Sequence, residues 1–250
     1  MFNTEARESF RQNMAKGVEF VRAVAACLAG LWAVLAQSAP AQSPVDRARL
    51  EKDVLAALNS ARTDPTAYAG GLKTYRGFFK ANVVTMPGNP VDFETVEGTV
   101  PVDEAITYLG GQPLLAPLAP AEILTAAAAD HVAEQSVSGR TGHYGADGSA
   151  PGDRVMKHGG GPLVAEVIAY GAVDAADVIR QLVIDDGVPD RGHRTVLFAP
   201  RLRYAGVACG PHPEFKTMCV IDMADTPDAL NPGALRRVRV AASDERDKKK

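Results

Sequence analysis

Two polar loops carry the residue types that could do chemistry. The first, Gly142-His143-Tyr144-Gly145-Ala146-Asp147-Gly148-Ser149-Ala150-Pro151, sets an imidazole among glycines and an aspartate, a setting that suits a working loop better than a packed core. The second, Asp185-Asp186-Gly187-Val188-Pro189-Asp190-Arg191-Gly192-His193-Arg194, places His193 just after a helical segment and beside several carboxylates. Between them Glu166 interrupts an apolar run of Leu163, Val164, Ala165, Val167 and Ile168. Burying a lone carboxylate is costly, so Glu166 needs a partner or a cleft. Taken singly, each has an ordinary reading: a loop histidine on the surface, an acid pinning a loop. Together they suggest one constellation of imidazoles and carboxylates. Ser149 is a loop serine near His143 in sequence and a candidate nucleophile. No His-Glu-x-x-His pair and no Gly-x-Ser-x-Gly elbow occurs. His131 falls on the apolar stripe of its helix and reads as packed, with Glu134 three residues on. His158 and His212 read as loop residues with no partner set.

The elements that must position these groups follow from periodicity. Val45 to Arg62 has Leu50, Val54, Leu55 and Leu58 at helical spacing. Asp64-Pro65 reads as an N-cap and first-turn proline opening a second helix through Leu72. Phe78 to Val100 reads as an irregular excursion, and Pro101 to Leu109 as a short helix. Pro120 to Ser136 predicts a strong helix with Ile123, Leu124, Ala127, Ala128 and His131 along one stripe. Gly139 to Gly161 is loop-like, Leu163 to Ala169 a short strand or helical turn, and Asp174 to Asp185 a helix. Strand-like runs at Tyr204 to Cys209 and Met218 to Met223 flank a turn, Gly210-Pro211-His212-Pro213-Glu214, and predict a hairpin. Helices with late-packed strands make α+β the expected class. No internal repeat is found.

The chain has 250 residues, suited to one domain with extensions, and 46% of them are hydrophobic, which excludes global disorder. A net charge of −3 without a basic stripe gives no footprint for nucleic acid. Ala23 to Ala36 is an uncharged apolar run of 14 residues after Lys16 and Arg22, ending near Ala39-Pro40-Ala41. That pattern predicts a signal peptide over 1–41 and export to the periplasm or medium; the run is short for a membrane span, so none is expected in the mature chain. The polar stretch before Met14 leaves Met1 and Met14 both open as the start. Cys27 leaves with the leader. Cys209 and Cys219, on the two hairpin strands, are expected to bridge in an oxidising compartment. From residue 230 the chain turns basic and polar, ending in Lys248-Lys249-Lys250, and is expected to be a disordered tail over 230–250.

In order along the chain, Leu58-Asn59-Ser60-Ala61-Arg62, Leu114-Leu115-Ala116-Pro117-Leu118, the helix reaching His131, His143-Tyr144-Gly145-Ala146-Asp147-Gly148-Ser149 with Asp153-Arg154, Glu166-Val167-Ile168-Ala169-Tyr170-Gly171, Gly192-His193-Arg194 and the Gly206-Val207 hairpin resemble the CAP superfamily of bacterial type. This is the SCP-like domain of cysteine-rich secretory, antigen 5 and pathogenesis-related proteins. The resemblance covers about Leu50 to Asp225. It implies a three-layer α-β-α sandwich, here with an N-terminal helical extension, and an open cleft lined by two histidines and two acids. Carried over, these are His143, His193, Glu166 and, as second acid, Asp185, with Asp186 as a neighbour that could serve instead. The chain departs from the family pattern at Ala165 and Val167 beside the first acid, at Leu182 for a common Trp, and near Val196 for a common Asn. Its second acid is one bond shorter than the usual Glu. The expected domain runs over 45–229 with an insertion at about 66–110 that covers or reshapes the cleft.

Two neutral imidazoles can bind Zn²⁺ or another divalent cation, with water and a carboxylate completing the shell. The expectation is therefore a secreted binding module: His143 and His193 hold a weakly bound cation, and the cleft takes a peptide, glycan or lipid. One alternative is a metal-assisted or His/acid hydrolase with Glu166 as general base. The other is a structural scaffold in which acids and imidazoles only pair with each other.

Overall fold

The computed structural model describes residues 44–88 and 92–230. The chain divides into two units, Met1–Pro40 and Ala41–Lys250. The first unit, and with it the expected leader, its cleavage site and both candidate starts, lies outside the described residues, as does the basic tail from Asn231. The second unit runs α1 (Pro44–Thr63), α2 (Pro65–Arg76), β1 (Phe79–Lys80), β2 (Val83–Val84), β3 (Phe93–Glu94), α3 (Val100–Gly110), β4 (Ala119–Pro120), α4 (Glu122–Ser138), α5 (Pro151–Lys157), β5 (Ala165–Tyr170), α6 (Ala175–Ile184), α7 (Gly192–Leu197), β6 (Tyr204–His212) and β7 (Lys216–Ala224).

Alternation along the two long strands decides which layer each residue serves. The antiparallel β6–β7 hairpin is the centre of a sheet ordered β4-β6-β7-β5. Ala205, Val207, Cys209, Cys219, Ile221 and Met223 turn to one face, where they pack with Val54 and Leu58 of α1, Leu109 of α3 and Ile179 and Val183 of α6. Ala208, Met218 and Val220 turn to the other, against Ala128 and Val132 of α4. Helices on both faces of one sheet give the α-β-α sandwich. Among the described residues no helix is long and apolar enough to cross a membrane.

Local signals place the starts of two helices. Asp64 accepts from Ala67 N at 2.9 Å and starts α2 with Pro65 in its first turn. Asp174 accepts from Asp177 N at 2.8 Å and starts α6. Three expectations change. Pro120 belongs to β4 rather than to α4, because the amides of Ala119 and Ala121 bond the carbonyls of Arg203 and Ala205. The supposed irregular excursion contains a three-stranded meander, β1-β2-β3. The loop after His143 contains α5, and the segment from Leu163 to Ala169, open between strand and helical turn, is strand from Ala165 onward.

Cys209 and Cys219 face each other in the hairpin register and are bridged. Cys209 N bonds Glu51 on the far side of β6, so the two cysteines form a pair without mutual backbone bonds, where side chains come closest. They stand ten positions apart in the sequence. In the chain-entropy account the cross-link stabilises by about 2.5–3 kcal/mol. Cys209→Ser with Cys219→Ser is expected to lose that amount in urea unfolding; an unchanged midpoint would show that the unfolded chain is not restrained by the bridge.

Candidate functional site

Glu166 lies on the α4 face of β5, and the register sets it opposite Asp222. Its side chain is 1% exposed, yet both oxygens are served: Oε1 meets His143 Nδ1 at 2.9 Å and Oε2 accepts from Arg154 Nη2 at 2.6 Å. Arg154, on α5, also donates to the carbonyls of His143 and Ser149 at 3.2 and 3.1 Å, so one guanidinium holds both the acid and the loop that carries the imidazole. Tyr170 and two α4 side chains fasten the other end of that loop. Gly142 N donates to Tyr170 Oη at 3.0 Å, and Gly142 O accepts from His131 Nε2 at 2.9 Å and Gln135 Nε2 at 2.7 Å. The left-handed backbone at Gly142 (φ 95°) makes the turn between them. His143 itself stays 44% exposed.

The second half comes from the opposite layer. Helix α6 ends at Asp185 in the left-handed conformation (φ 61°, ψ 43°), which swings its carboxylate toward the start of α7. Oδ1 meets His193 Nδ1 at 2.6 Å, while Oδ2 accepts from the backbone N–H of His193 at 2.9 Å and of Arg194 at 3.3 Å. One acid therefore caps α7 and orients its histidine, and the shorter reach of Asp over Glu is met by backbone geometry. Asp186 points elsewhere: its oxygens take the amides of Val96 and Glu97 at 2.7 and 2.9 Å. Glu97 in turn accepts from Gly187 N and Arg191, and Arg191 also reaches Glu104. The insertion thus clamps the loop between α6 and α7.

The two imidazole rings lie 6.5 Å apart, tilted by 45°. In each, the carboxylate contact at Nδ1 leaves Nε2 for the cleft, the arrangement seen where a carboxylate orients a metal-binding histidine. With Zn–N near 2.0–2.1 Å and tetrahedral geometry, ring centres would sit roughly 5 Å apart, so a shared ion asks the rings to close by roughly 1 Å. Among the described residues no group of three or more His, Cys, Asp and Glu side chains converges as a metal cage, so water or ligand atoms would complete the shell.

The other candidates fall away from this cluster. Ser149 is hydrogen-bonded to Asp147, whose carboxyl its hydroxyl and backbone hold below the usual range. His131 is fully buried, and burial lowers the pKa of its imidazole. Two readings are corrected. His212 is not a loop residue without partners: it ends β6, is 2% exposed, bonds Arg140 O at 3.0 Å and stacks near Tyr170 and Phe215. His158 sits 3.0 Å from Asp130. Strand pairing and helix ends supplied partners that a sequence window does not contain.

Asp222 joins the cluster through strand pairing alone. It is fully buried, directly across from Glu166, and neither of its oxygens finds a donor among the described residues. Burial, and then the facing Glu166 carboxylate, push its carboxyl well above the usual carboxylate range, against the pull of Arg154. The folded state therefore keeps a proton that the unfolded chain releases above about pH 4, and this residue's contribution to stability falls as pH rises through that window. Asp222→Asn keeps a neutral donor toward Glu166 and removes the slope. It is expected to gain about 1–3 kcal/mol at pH 8 and close to nothing near pH 4. Urea unfolding at the two pH values checks it; a gain independent of pH would mean Asp222 is ionised in the fold.

Comparison with known proteins finds a family match over one region. Residues 107–223 match the CAP family model, described as the cysteine-rich secretory protein family. No curated protein matches. Among solved structures, an extracellular protein containing an SCP domain from Bacillus anthracis str. Ames aligns at 21% identity and TM-score 0.37, over 47% of this chain and 36% of that one. An outer surface protein from Borrelia burgdorferi aligns at 16% identity and TM-score 0.36, over 44% of this chain and 77% of that one. The chain thus spans about a third of the Bacillus protein.

Proposed function

We propose, on the premise that residues 107–223 match the CAP family model, that this chain is an exported binding module whose His143/Glu166/Asp185/His193 cleft holds a divalent cation and presents it to a ligand. The observation that carries the reading is the matched pair: two partly exposed histidines, each tied at Nδ1 to a carboxylate that is almost wholly buried. Holding two imidazoles in one tautomer by buried acids costs desolvation that a purely structural role does not require. Zn²⁺ suits two neutral nitrogen donors, and its shell would stay open. The disulfide fits an oxidising compartment.

A hydrolase is the second reading. Both Glu166 oxygens are engaged, one by His143 and one by Arg154, which makes that acid a support for the imidazole rather than a free base. The cation-binding reading is checked by calorimetric Zn²⁺ titration. The wild type is expected to bind and to lose affinity on acidification, since protons compete for the imidazoles. The variant carrying His143→Ala and His193→Ala is expected to show no binding; unchanged binding in that variant would remove the proposal.

A further inference from the structure

The hydrogen-bonding edge of β5 runs past this site unpaired. The sheet order leaves β5 at one end. Gly171 N donates to Thr217 O at 2.8 Å, and the register puts 165, 167 and 169 in the same phase, bonded toward β7. The N–H and C=O groups of Glu166, Ile168 and Tyr170 therefore point outward, and none has a partner among the described residues. Glu166 and His143 approach this edge from the α4 face, Asp185 and His193 from the α6 face. A cavity of about 350 Å³ lies against Ile168, Ala169 and Tyr170 and is continuous with His193. Its far wall comes from the insertion, including Phe79, Met86 and Phe93.

Open edges are normally blunted by charge, proline or cover, because they template strand addition. Here the edge is bordered by a hollow with apolar walls. The carboxylate and guanidinium groups lining that hollow are Asp177, Asp185 and Asp186 against Arg180; Arg180 pairs with Asp177 at 2.6 Å, so the excess is negative and comes from Asp185 and Asp186. We propose that β5 takes an extended peptide as an added strand, with one large apolar side chain in the cavity and a basic residue beside it. This rests on the reading of the His143/His193 cleft as a ligand site, and makes its ligand a peptide. Backbone bonds to 166, 168 and 170 would give affinity, the cavity and its acidic rim selectivity. A glycan offers no alternating N–H and C=O groups, and an acyl chain offers neither those nor a positive charge.

The test uses the full mature chain in EDTA and a fluorescein-labelled hexapeptide, Thr-Val-Thr-Phe-Lys-Thr amide, read by anisotropy. Two N-methylated versions cover alternate amides. One set is expected to weaken binding about tenfold, as loss of two backbone bonds implies, and the other set to leave it within about twofold. Phe→Gly and Lys→Glu in the probe are each expected to weaken it as well. No binding, or equal response to both N-methylated sets, overturns the proposal. So does a fluorescent fatty acid that binds in the cavity while the peptide does not. Zn²⁺ titration of the same protein after removal of EDTA keeps the two ideas apart. Zinc binding without peptide binding sinks only the strand-addition proposal; peptide binding without zinc binding sinks only the cation proposal.

Discussion

Gly206→Ala is expected to destabilise the domain by on the order of 4 kcal/mol, in the range reserved for named packing faults. The cause is backbone against backbone. A Cβ on Gly206 would overlap the Leu124 carbonyl carbon and the Thr125 amide of α4, and would lie 2.6 Å from Thr125 Cα, where ordinary contact begins near 3.4 Å. No rotamer relieves such a clash, so α4 must retreat from β6 or the strand must buckle. Retreat opens the layer of Ala128, Val132, Ala208 and Val220, and moves the helix whose His131 and Gln135 hold Gly142 in front of His143. The residue owes its glycine to this close approach, since its φ is not positive. Gly110→Ala, with nothing within 4 Å of the added carbon, is the control and is expected to change stability by under about 1 kcal/mol. Equal losses in the two variants would contradict the packing explanation.

Arg154→Ala is expected to cost about 3–5 kcal/mol, because it strands a buried charge. Arg154 is 5% and Glu166 1% exposed in their side chains, so the substitution takes the guanidinium from Oε2 in a site largely closed to solvent. The carbonyls of His143 and Ser149 lose a donor in the same step. The sharper outcome concerns the pair. Arg154→Met combined with Glu166→Leu removes both charges, and the double variant is expected to be markedly more stable than the sum of the two single losses predicts. Additive losses would mean that the two charges do not support each other in the fold. Whatever its stability, the double variant is expected to bind zinc at least tenfold more weakly, because His143 has lost the carboxylate that orients it.

The residues of the site differ in how much of their role a linear sequence carries. Glu166 announced itself as an acid inside an apolar run. Asp222, in Met218 to Met223, carries the same signal and was read only as hairpin strand; that the register sets the two acids face to face is a property of β5–β7 pairing, not of either segment. Arg154 belonged to a recognised motif without a role, since its partner depends on α5 packing beneath the His143 loop. The choice between Asp185 and Asp186 was beyond a linear reading. Adjacent carboxylates part company because the left-handed end of α6 falls on the first of them, sending one to His193 and the other to the insertion. Helix positions, by contrast, followed from capping chemistry at Asp64 and Asp174, which acts within four residues. The meander at 79–94 escaped notice because its strands are two residues long, too short for alternation to register.

The clamp of Asp186, Glu97, Glu104 and Arg191 escaped for the same reason as Asp222: its partners lie some 90 residues apart. Through it Glu97 and Glu104 of the insertion, both N-terminal to the segment that matches the family model, fix the loop that carries His193.

A crystal structure of the protein grown with Zn²⁺, with anomalous data collected at the zinc edge, tests the account at its centre. The expected result is one anomalous peak between the rings, about 2.0–2.1 Å from the Nε2 atoms of both His143 and His193, with each Nδ1 still on its carboxylate. Zinc bound elsewhere, or rings left at their 6.5 Å separation with no peak between them, would contradict it.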